Sequence, residues 1–401
     1  MKILFIHQNF PGQFRHLVTH LARQPGFELL AIGLQGAPGM KDIHLLRYHP
    51  HRTPGQKTHP YIRTFENAVL HGQQVLRILL DLKKQGYQPD IVIGHPAWGE
   101  TLYVKLAFPN TKLIHYCEYY YHLEGGDSGF DPEFPLTLED AARITTRNAL
   151  HLLSIEQCDL GISPTHWQKS RFPTAYHDKI EVIHEGIRVD VLNPDPAAFL
   201  RFPNGKELRV GDPVVTYVAR NLEPYRGFHR FIRALPELLQ AHPGCQVLVV
   251  GGDGISYGEL PSDAPNWREK MLRENPLDPE RVHFLGKVSY DIYRCILQIS
   301  AVHVYLTYPF VLSWSMLEAM ASGCLLVASD TQPVREIVRH GENGWLVDFF
   351  DGKALVEQIL YALSTPPEAA TLRANALESV QAWSTEKGIA KYMQLIEASR
   401  A

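Results

Sequence analysis

Short, mainly apolar runs that alternate with helical stretches are the feature that most constrains the fold of this chain. Six of these runs fall in the first half, at residues 1–6, 27–33, 89–95, 111–116, 159–163 and 179–184. Helical spacing of apolar residues follows the first run at 14–21 and recurs at 67–84. Strands buried on both faces of a parallel sheet have this continuous apolar character, so the pattern predicts a doubly wound α/β domain.

The same pattern repeats in the second half. Six more apolar runs occur there: PVVTYV, QVLVVGGDG, RVHFLG, VHVYLT, CLLVAS and GWLV. The intervening segment is rich in Pro, Asp and Gly and lacks periodicity, as linkers do. We therefore predict a first domain over 1–190, a linker over 191–212 and a second domain over 213–383, with a final helix at about 384–401 that can pack back on the first domain. Two cores suit a chain of 401 residues.

Charge and cysteine content exclude several classes of protein. The net charge of −4 gives no reason to expect a nucleic-acid partner. The five cysteines are scattered and never form a C-x-x-C pair, which argues against a disulfide framework or a zinc site and favours a reducing cytoplasm. No apolar run approaches the roughly 20 residues of a spanning helix, so any membrane contact is expected to be peripheral, at the inner face.

The loops after the strands are where a doubly wound sheet binds ligands. Gly12 follows the first strand at the start of a helix, where a bare backbone can approach a phosphate; a plain tight turn is the alternative. His95 ends the third strand, where its ring can meet a ligand. The alternative for His95 is a hydrogen-bonded histidine that caps its strand.

The second half places three ionisable residues at comparable positions. Arg220 and Arg226 straddle the turn after its first strand, and two guanidinium forks so placed can converge on one diphosphate. The alternative is a solvated arginine or an ion pair with Glu223. Glu318 lies in an apolar stretch behind a strand end, where the two hydroxyls of a ribose would satisfy a lone carboxylate. A first-turn glutamate favoured by the helix dipole is the alternative.

Residues 210–350 resemble the nucleotide-sugar glycosyltransferases of family 4, which have the GT-B fold of two Rossmann-like domains facing each other across a cleft. Arg220 and Arg226 match the family's pair of basic residues on the donor diphosphate, although the second is usually lysine. Residues 317–321 match the most specific family signature and put Glu318 on the ribose-binding glutamate. The first domain is similar only loosely, through residues such as Gly12 and His95.

Other donor-binding positions follow from the same resemblance. Gly252 falls in the glycine turn after the second strand, and Val288 in the segment whose backbone holds the base. Ser313 and Trp314 precede the signature, with Ser313 in place of the usual glycine. Phe310 stands where family members commonly carry a glutamate that contacts the donor sugar, so we expect that contact to be absent, supplied by Ser313, or made by water.

The resemblance implies a retaining hexosyltransferase for polysaccharide biosynthesis, with Arg220, Arg226 and His95 as catalytic residues. Its co-substrate would be a nucleotide diphosphate sugar, its acceptor a glycan or a lipid-linked or small molecule, and neither metal nor other cofactor is expected. A catalytically inactive nucleotide-sugar-binding partner subunit is the alternative function. An epimerase or a phosphorylase is a weaker one, since a phosphorylase needs a lysine for pyridoxal phosphate. The donor base, the sugar and the acceptor cannot be assigned from sequence.

Overall fold

A computed structural model describes residues 1–399 and divides them into two α/β units. Unit 1 comprises Met1–Gly186 and the C-terminal segment from Thr385, and unit 2 comprises Ile187–Ser384. Each unit is built around one sheet whose paired strands all run parallel. The predicted fold class, two doubly wound α/β domains, is confirmed.

Unit 1 contains a seven-stranded sheet with strand order β3-β2-β1-β4-β5-β6-β7. Its strands are β1 Lys2–Ile6, β2 Glu28–Leu34, β3 His44–Tyr48, β4 Ile91–Gly94, β5 Lys112–Tyr116, β6 Leu160–Ser163 and β7 Ile180–Val182. Its helices before the second unit are α1 Arg15–Leu21, α2 Arg63–Lys84, α3 Val104–Ala107, α4 Leu138–Gln157 and α5 His166–Ser170. Every residue of β4 is buried, as its unbroken apolar run predicts for a central parallel strand.

Unit 2 contains a six-stranded sheet with strand order β12-β11-β10-β13-β14-β15, preceded by a separate antiparallel pair, β8 and β9. The strands are β8 Phe199–Arg201, β9 Glu207–Arg209, β10 Val214–Asn221, β11 Gln246–Gly252, β12 Val282–Gly286, β13 Val302–Tyr305, β14 Leu325–Ser329 and β15 Trp345–Val347. The helices are α6 Phe228–Ala241, α7 Trp267–Glu274, α8 Tyr290–Gln298, α9 Trp314–Ala321, α10 Gln332–Arg335, α11 Gly352–Leu363 and α12 Ala369–Val380.

The last helix, α13 Thr385–Ala398, belongs to unit 1. Its buried Tyr392 and Ile396 join the apolar cluster that also contains Val18 and Leu21 of α1. The end of the helix predicted from sequence, residues 400–401, lies outside the described residues.

The segment 191–212 is not a linker, which corrects the prediction from its composition. It carries the β8–β9 hairpin, and Ala198 and Leu208 are buried in one cluster with Val214 and Leu248 of the main sheet. The hairpin is only three residues long on each side, so its few apolar positions leave no readable period. Strand β3 is also absent from the prediction, because only its last residue, Tyr48, is buried.

Both sheets change winding direction beside their first strand. In unit 1 the chain adds β2 and β3 on one side of β1 and then returns to place β4 on the other side, and in unit 2 β11 and β13 flank β10 in the same way. Ligands of doubly wound folds bind beyond the carboxyl ends of the strands at this switch point. The fold thus singles out two edges, one after β1 and β4 and one after β10 and β13.

Candidate functional site

Arg226 lies at the switch point of the second sheet. It ends a short 3₁₀ turn, Pro224–Arg226, that follows β10. The side chain is only 7 % exposed, and its Nη1 donates a hydrogen bond to Thr307 Oγ1 at 2.8 Å and contacts the Tyr305 hydroxyl at 3.4 Å. Tyr305 ends β13 and Thr307 follows it, so Arg226 connects the carboxyl ends of two neighbouring strands.

All of these partners of Arg226 are uncharged. The Tyr257 ring lies over the guanidinium, with 5.3 Å between Arg226 Cζ and the ring centroid. Within residues 1–399, no carboxylate forms an ion pair with Arg226. A guanidinium stays protonated in proteins, and a buried charge is unfavourable unless a counter-charge compensates it. An anionic ligand at this edge would provide that compensation.

Glu223 does not pair with either arginine, so the ion pair considered as an alternative is absent from the described residues. Its buried carboxylate instead accepts backbone N–H groups from Ser256 at 3.1 Å, from Tyr257 at 3.1 Å and from Gly258 at 3.0 Å. These three bonds fix the loop after β11, which carries the Tyr257 ring that covers Arg226. Glu223 therefore has a structural role beside the site.

Two exposed cations share this edge of the sheet with Arg226. Arg220 lies near the end of β10 and Lys287 directly after β12, and within residues 1–399 neither forms an ion pair. Lys287 passes beside Gly252, because a Cβ placed on Gly252 would lie 2.7 Å from Lys287 Cε. The neighbouring Val288 packs its side chain partly into an apolar cluster. Of the predicted arginine pair, Arg226 is thus buried and Arg220 exposed, and Lys287 is a third cation at the same edge of the sheet.

Ser313 and Trp314 start helix α9. Ser313 is its N-cap residue, and its Oγ lies 3.0 Å from Ser315 Oγ. The Ser313 backbone N–H donates to the Tyr305 hydroxyl at 2.9 Å, the same hydroxyl that Arg226 contacts. Both groups predicted to replace the missing sugar contact are therefore engaged within unit 2, while Trp314 is 40 % exposed.

Glu318 lies in the second turn of α9, so the first-turn explanation does not apply to it. Its Oε2 accepts a hydrogen bond from the Tyr293 hydroxyl of α8 at 2.6 Å. Burial raises the pKa of Glu318 above its ordinary value, only partly offset by Tyr293. No cation in residues 1–399 forms an ion pair with this carboxylate, which leaves Oε1 available as an acceptor for a ligand hydroxyl.

Phe310, which replaces the family glutamate, is a core residue of this loop. It is 4 % exposed, and its ring meets the rings of Tyr257 and Tyr225 nearly edge-on at 4.9 and 5.6 Å between centroids. Since Tyr257 covers Arg226, Phe310 supports the aromatic wall beside the guanidinium. An apolar side chain here has a packing function that a carboxylate could not fulfil.

The switch point of unit 1 contains His7, the first residue after β1. Its Nδ1 accepts the Asn9 backbone N–H at 2.9 Å, so the neutral ring carries its proton on Nε2 and donates to Gln13 Oε1 at 2.8 Å. Burial and nearby His95 lower the pKa of His7 to about 3. Gly12 has a φ of +50°, and a Cβ there would lie 2.3 Å from His7 Nε2. Glycine at position 12 is therefore required by the histidine, whatever ligand approaches it.

His95 lies opposite His7, with 5.4 Å between the ring centroids. Its Nδ1 accepts the Ala97 backbone N–H at 3.3 Å, and its ring stacks on the Trp98 ring with 4.5 Å between centroids. The bond to Ala97 is a capping interaction of the kind considered above as the alternative to a functional role for His95. The residue is 0 % exposed. A direct contact between His95 and a substrate, as predicted from sequence, would require this ring to be uncovered first.

Glu118 is the part of this cluster that reaches the surface, with 29 % of its side chain exposed. Its Oε1 accepts from Gln13 Nε2 at 2.8 Å, and its Oε2 lies 3.5 Å from His95 Nε2. Burial opposes ionisation, but the nearby His95 ring and the hydrogen bond from Gln13 outweigh it and lower the pKa of Glu118. The result is an ionised carboxylate, held by two strand-end loops at the switch point.

Glu118 and Lys287 are not among the site residues predicted from sequence. Both follow the end of a strand, Glu118 two residues after β5 and Lys287 one residue after β12. The rule that ligands bind beyond the carboxyl ends of the strands, which draws attention to Arg226, could therefore have found Glu118 and Lys287 as well. In the sequence Glu118 is surrounded by aromatic residues, and nothing local distinguishes it from the other acidic residues that follow.

Comparison with known proteins agrees with this geometry. The family description "Glycosyl transferase family 4 group" matches residues 25–192, and "Glycosyl transferases group 1" matches residues 201–379. The chain is 31% identical to a phosphatidyl-myo-inositol mannosyltransferase of Mycobacterium leprae over 192 residues, which cover 46% of this chain and 44% of that protein. It is 24% identical to a D-inositol 3-phosphate glycosyltransferase of Nocardioides over 280 residues, 66% of this chain and 58% of that protein. The matches span about half the length of these curated relatives.

Solved structures share the fold over the whole chain. A sucrose-phosphate synthase of Thermosynechococcus elongatus superposes with a TM-score of 0.71 at 20% identity, covering 99% of this chain and 98% of that one. Anabaena HepE, solved in complex with UDP, superposes with a TM-score of 0.69 at 18% identity, covering 99% and 100%. Among residues 1–399, no helix has the length and hydrophobicity needed to cross a membrane.

Two parallel-sheet α/β units, with basic residues at the switch point of the second, have the architecture of a GT-B glycosyltransferase. The two family matches, one in each unit, identify the type. The chain belongs to the family 4 glycosyltransferases.

Proposed function

We propose that this glycosyltransferase is a retaining hexosyltransferase that takes its sugar from a nucleotide diphosphate donor bound to unit 2. The observation that carries the proposal is the buried Arg226, a full positive charge whose partners Thr307, Tyr305 and Tyr257 are all neutral. Arg220 and Lys287 add two unpaired cations at the same sheet edge. A diphosphate is the anion whose charge and size match several such cations.

The proposed chemistry follows from where charge develops. The bond between the anomeric carbon and the donor phosphate breaks, its electron pair stays on the diphosphate, and the acceptor oxygen forms the new bond while its proton passes to the leaving diphosphate. The growing negative charge falls on the β-phosphate. Preorganised guanidinium groups of Arg220 and Arg226 stabilise that charge more in the transition state than in the ground state, without a metal.

Glu318 is proposed to hold the donor ribose. Its Oε1 is free to accept hydroxyl hydrogen bonds, while Tyr293 fixes Oε2. Gly252 and the backbone at Val288 are proposed to contact the nucleotide, and Ser313 and Trp314 the donor sugar. In unit 1, we assign Glu118 rather than His95 as the side chain that meets substrate hydroxyls, because Glu118 is partly exposed and its pKa is lowered, whereas His95 is enclosed.

The names of relatives suggest where to begin with substrates. HepE has been solved with UDP and with UDP-glucose, and two relatives are named for transfer to phosphatidyl-myo-inositol or D-inositol 3-phosphate. UDP- and GDP-sugars form the first donor panel. Glycans, inositol phosphates and lipid-linked acceptors form the acceptor panel.

Titration calorimetry with nucleotide diphosphates tests the donor site. A charge-assisted hydrogen bond contributes about 1.5–3 kcal/mol, so Arg226→Ala should weaken binding by about 10- to 150-fold. Glu318→Ala should also weaken it, because the ribose is present in the bare nucleotide. Arg209→Ala is the matched control, since Arg209 pairs with Glu207 in the exposed hairpin. Unchanged affinity in Glu318→Ala would exclude the ribose assignment.

Product analysis tests the reaction itself. NMR of the product should show the same anomeric configuration as the donor, and Glu118→Gln should slow transfer while leaving nucleotide affinity intact. An inverted product would exclude retention. Nucleotide binding without transfer to any acceptor in the panel would favour the alternative function, a non-catalytic partner subunit. The observation behind that alternative is Phe310, which stands in place of the family glutamate.

A further inference from the structure

A small cavity lies within unit 1 behind Glu118, between the ends of β4 and β5 and helix α4. Its volume is about 30 Å³, and His95, His115, Glu118 and Ser154 are among the residues that line it. One water molecule needs about 15 Å³ of such space, so the cavity has room for one or two. The cavity is therefore the right size for a buried water site.

Three buried polar atoms of the cavity lining have no hydrogen-bond partner among residues 1–399. They are His95 Nε2, His115 Nε2 and Ser154 Oγ. All three residues are at most 2 % exposed, so bulk solvent does not satisfy these atoms. Polar groups this deeply buried are normally hydrogen-bonded, to protein or to ordered water.

The proton positions of the two histidines are complementary. His95 Nδ1 accepts the Ala97 backbone N–H, so Nε2 of the neutral ring carries a proton and is a donor. His115 Nδ1 lies 3.1 Å from the Ser154 carbonyl oxygen and must donate to it, so its Nε2 is an acceptor. Burial lowers the pKa of His115 to about 3, which keeps this ring neutral. The cavity is thus lined by one donor, one acceptor and the Ser154 hydroxyl, which can be either.

We propose that this cavity holds one ordered water that accepts a hydrogen bond from His95 Nε2 and donates to His115 Nε2, with Ser154 Oγ as its third partner. Three partners are the usual number for a buried water. His115 then acts as a positioning residue. Through the water it fixes the orientation of the His95 ring, whose Nε2 lies 3.5 Å from Glu118 Oε2. The consequence for sugar transfer rests on the function proposed above for Glu118.

A high-resolution crystal structure of the full chain tests the water directly. The expected result is one density peak within about 2.6–3.2 Å of all three atoms. In His115→Phe the peak should be lost, and in Ser154→Ala it should remain with two partners. A wild-type map that shows other buried waters but none here overturns the site.

Nitrogen-15 NMR of the histidine rings tests the positioning role without any substrate. His95 should be the Nε2–H tautomer in the wild type and should exchange that proton faster in His115→Phe, with Ser154→Ala showing the smaller effect. His20→Phe on α1 is the control, because His20 does not line the cavity. An unchanged His95 signal in both cavity variants overturns the positioning role, whether or not the enzyme's substrates are known.

Transfer kinetics supply the functional readout. His115→Phe should lower kcat by about tenfold with the donor KM unchanged, because a misplaced catalytic group slows chemistry without weakening nucleotide binding. A wild-type kcat in a variant whose map has lost the water overturns the link to catalysis. If the wild type transfers no sugar, that result counts against the proposed function and not against the water site. The crystallographic and NMR results then test whether the water is present and positions His95.

Discussion

Replacement of Glu223 by glutamine should release the loop that covers Arg226. The buried carboxylate accepts three backbone N–H groups, from Ser256 to Oε1 and from Tyr257 and Gly258 to Oε2. Glutamine has nearly the same shape but only one acceptor oxygen. Whichever way the amide is turned, its NH₂ group must face at least one backbone N–H, and the remaining bonds lose the assistance of the negative charge.

The magnitude follows from these bonds. Three hydrogen bonds to an ionised group contribute about 1.5–3 kcal/mol each, and two neutral ones about 1 kcal/mol each. Relief from burying a charge offsets part of the difference, which leaves a loss of about 2–4 kcal/mol. At 1.4 kcal/mol per factor of ten, the loop should open about 30- to 700-fold more often.

Hydrogen exchange measured by mass spectrometry reads this opening at the amides of Ser256, Tyr257 and Gly258. The matched control is Glu259→Gln, the same chemical change on an exposed side chain one residue further along the loop. It should leave exchange unchanged. Equal exchange in Glu223→Gln and the control would refute the argument that the carboxylate holds this loop.

Three further variants test individual residues. Burial raises the pKa of Glu318, so its carboxylate destabilises the fold once it is ionised, and this penalty is absent at low pH and grows as pH rises through the folded pKa. The melting temperature of Glu318→Gln relative to wild type should therefore be higher at about pH 7.5 than at about pH 4. An equal difference in melting temperature at the two pH values would contradict this. Gly12→Ala should lower the melting temperature more than Gly26→Ala, since both have positive φ but only Gly12 abuts His7, so equal losses would count against the clash. Phe310→Glu should destabilise unit 2 by about 3–5 kcal/mol in denaturant unfolding, and a gain of transfer activity instead would show that the family glutamate is tolerated there.

The sequence by itself determines most strands of the two main sheets and the position of Arg226 after a strand. Apolar runs such as 89–95 and 213–218 are local patterns, and a buried parallel strand needs little more than such a run to be recognised. The rule that ligands meet strand ends then draws attention to Arg226, which the structure places at a switch point. The position of Arg226 after a strand can be read from the order of residues along the chain, so predicting it needs no knowledge of side-chain contacts.

The tertiary structure alone decides which of these side chains are buried and what they contact. His95 is enclosed, whereas Glu118 is partly exposed and its carboxylate is held by Gln13, 105 residues earlier in the chain. The 191–212 segment folds because two of its apolar residues reach a sheet formed later in the chain, and Phe310 packs because Tyr257 lies across the loop from it. Periodicity and composition are local properties, whereas burial and hydrogen bonding depend on residues that only the folded chain brings together.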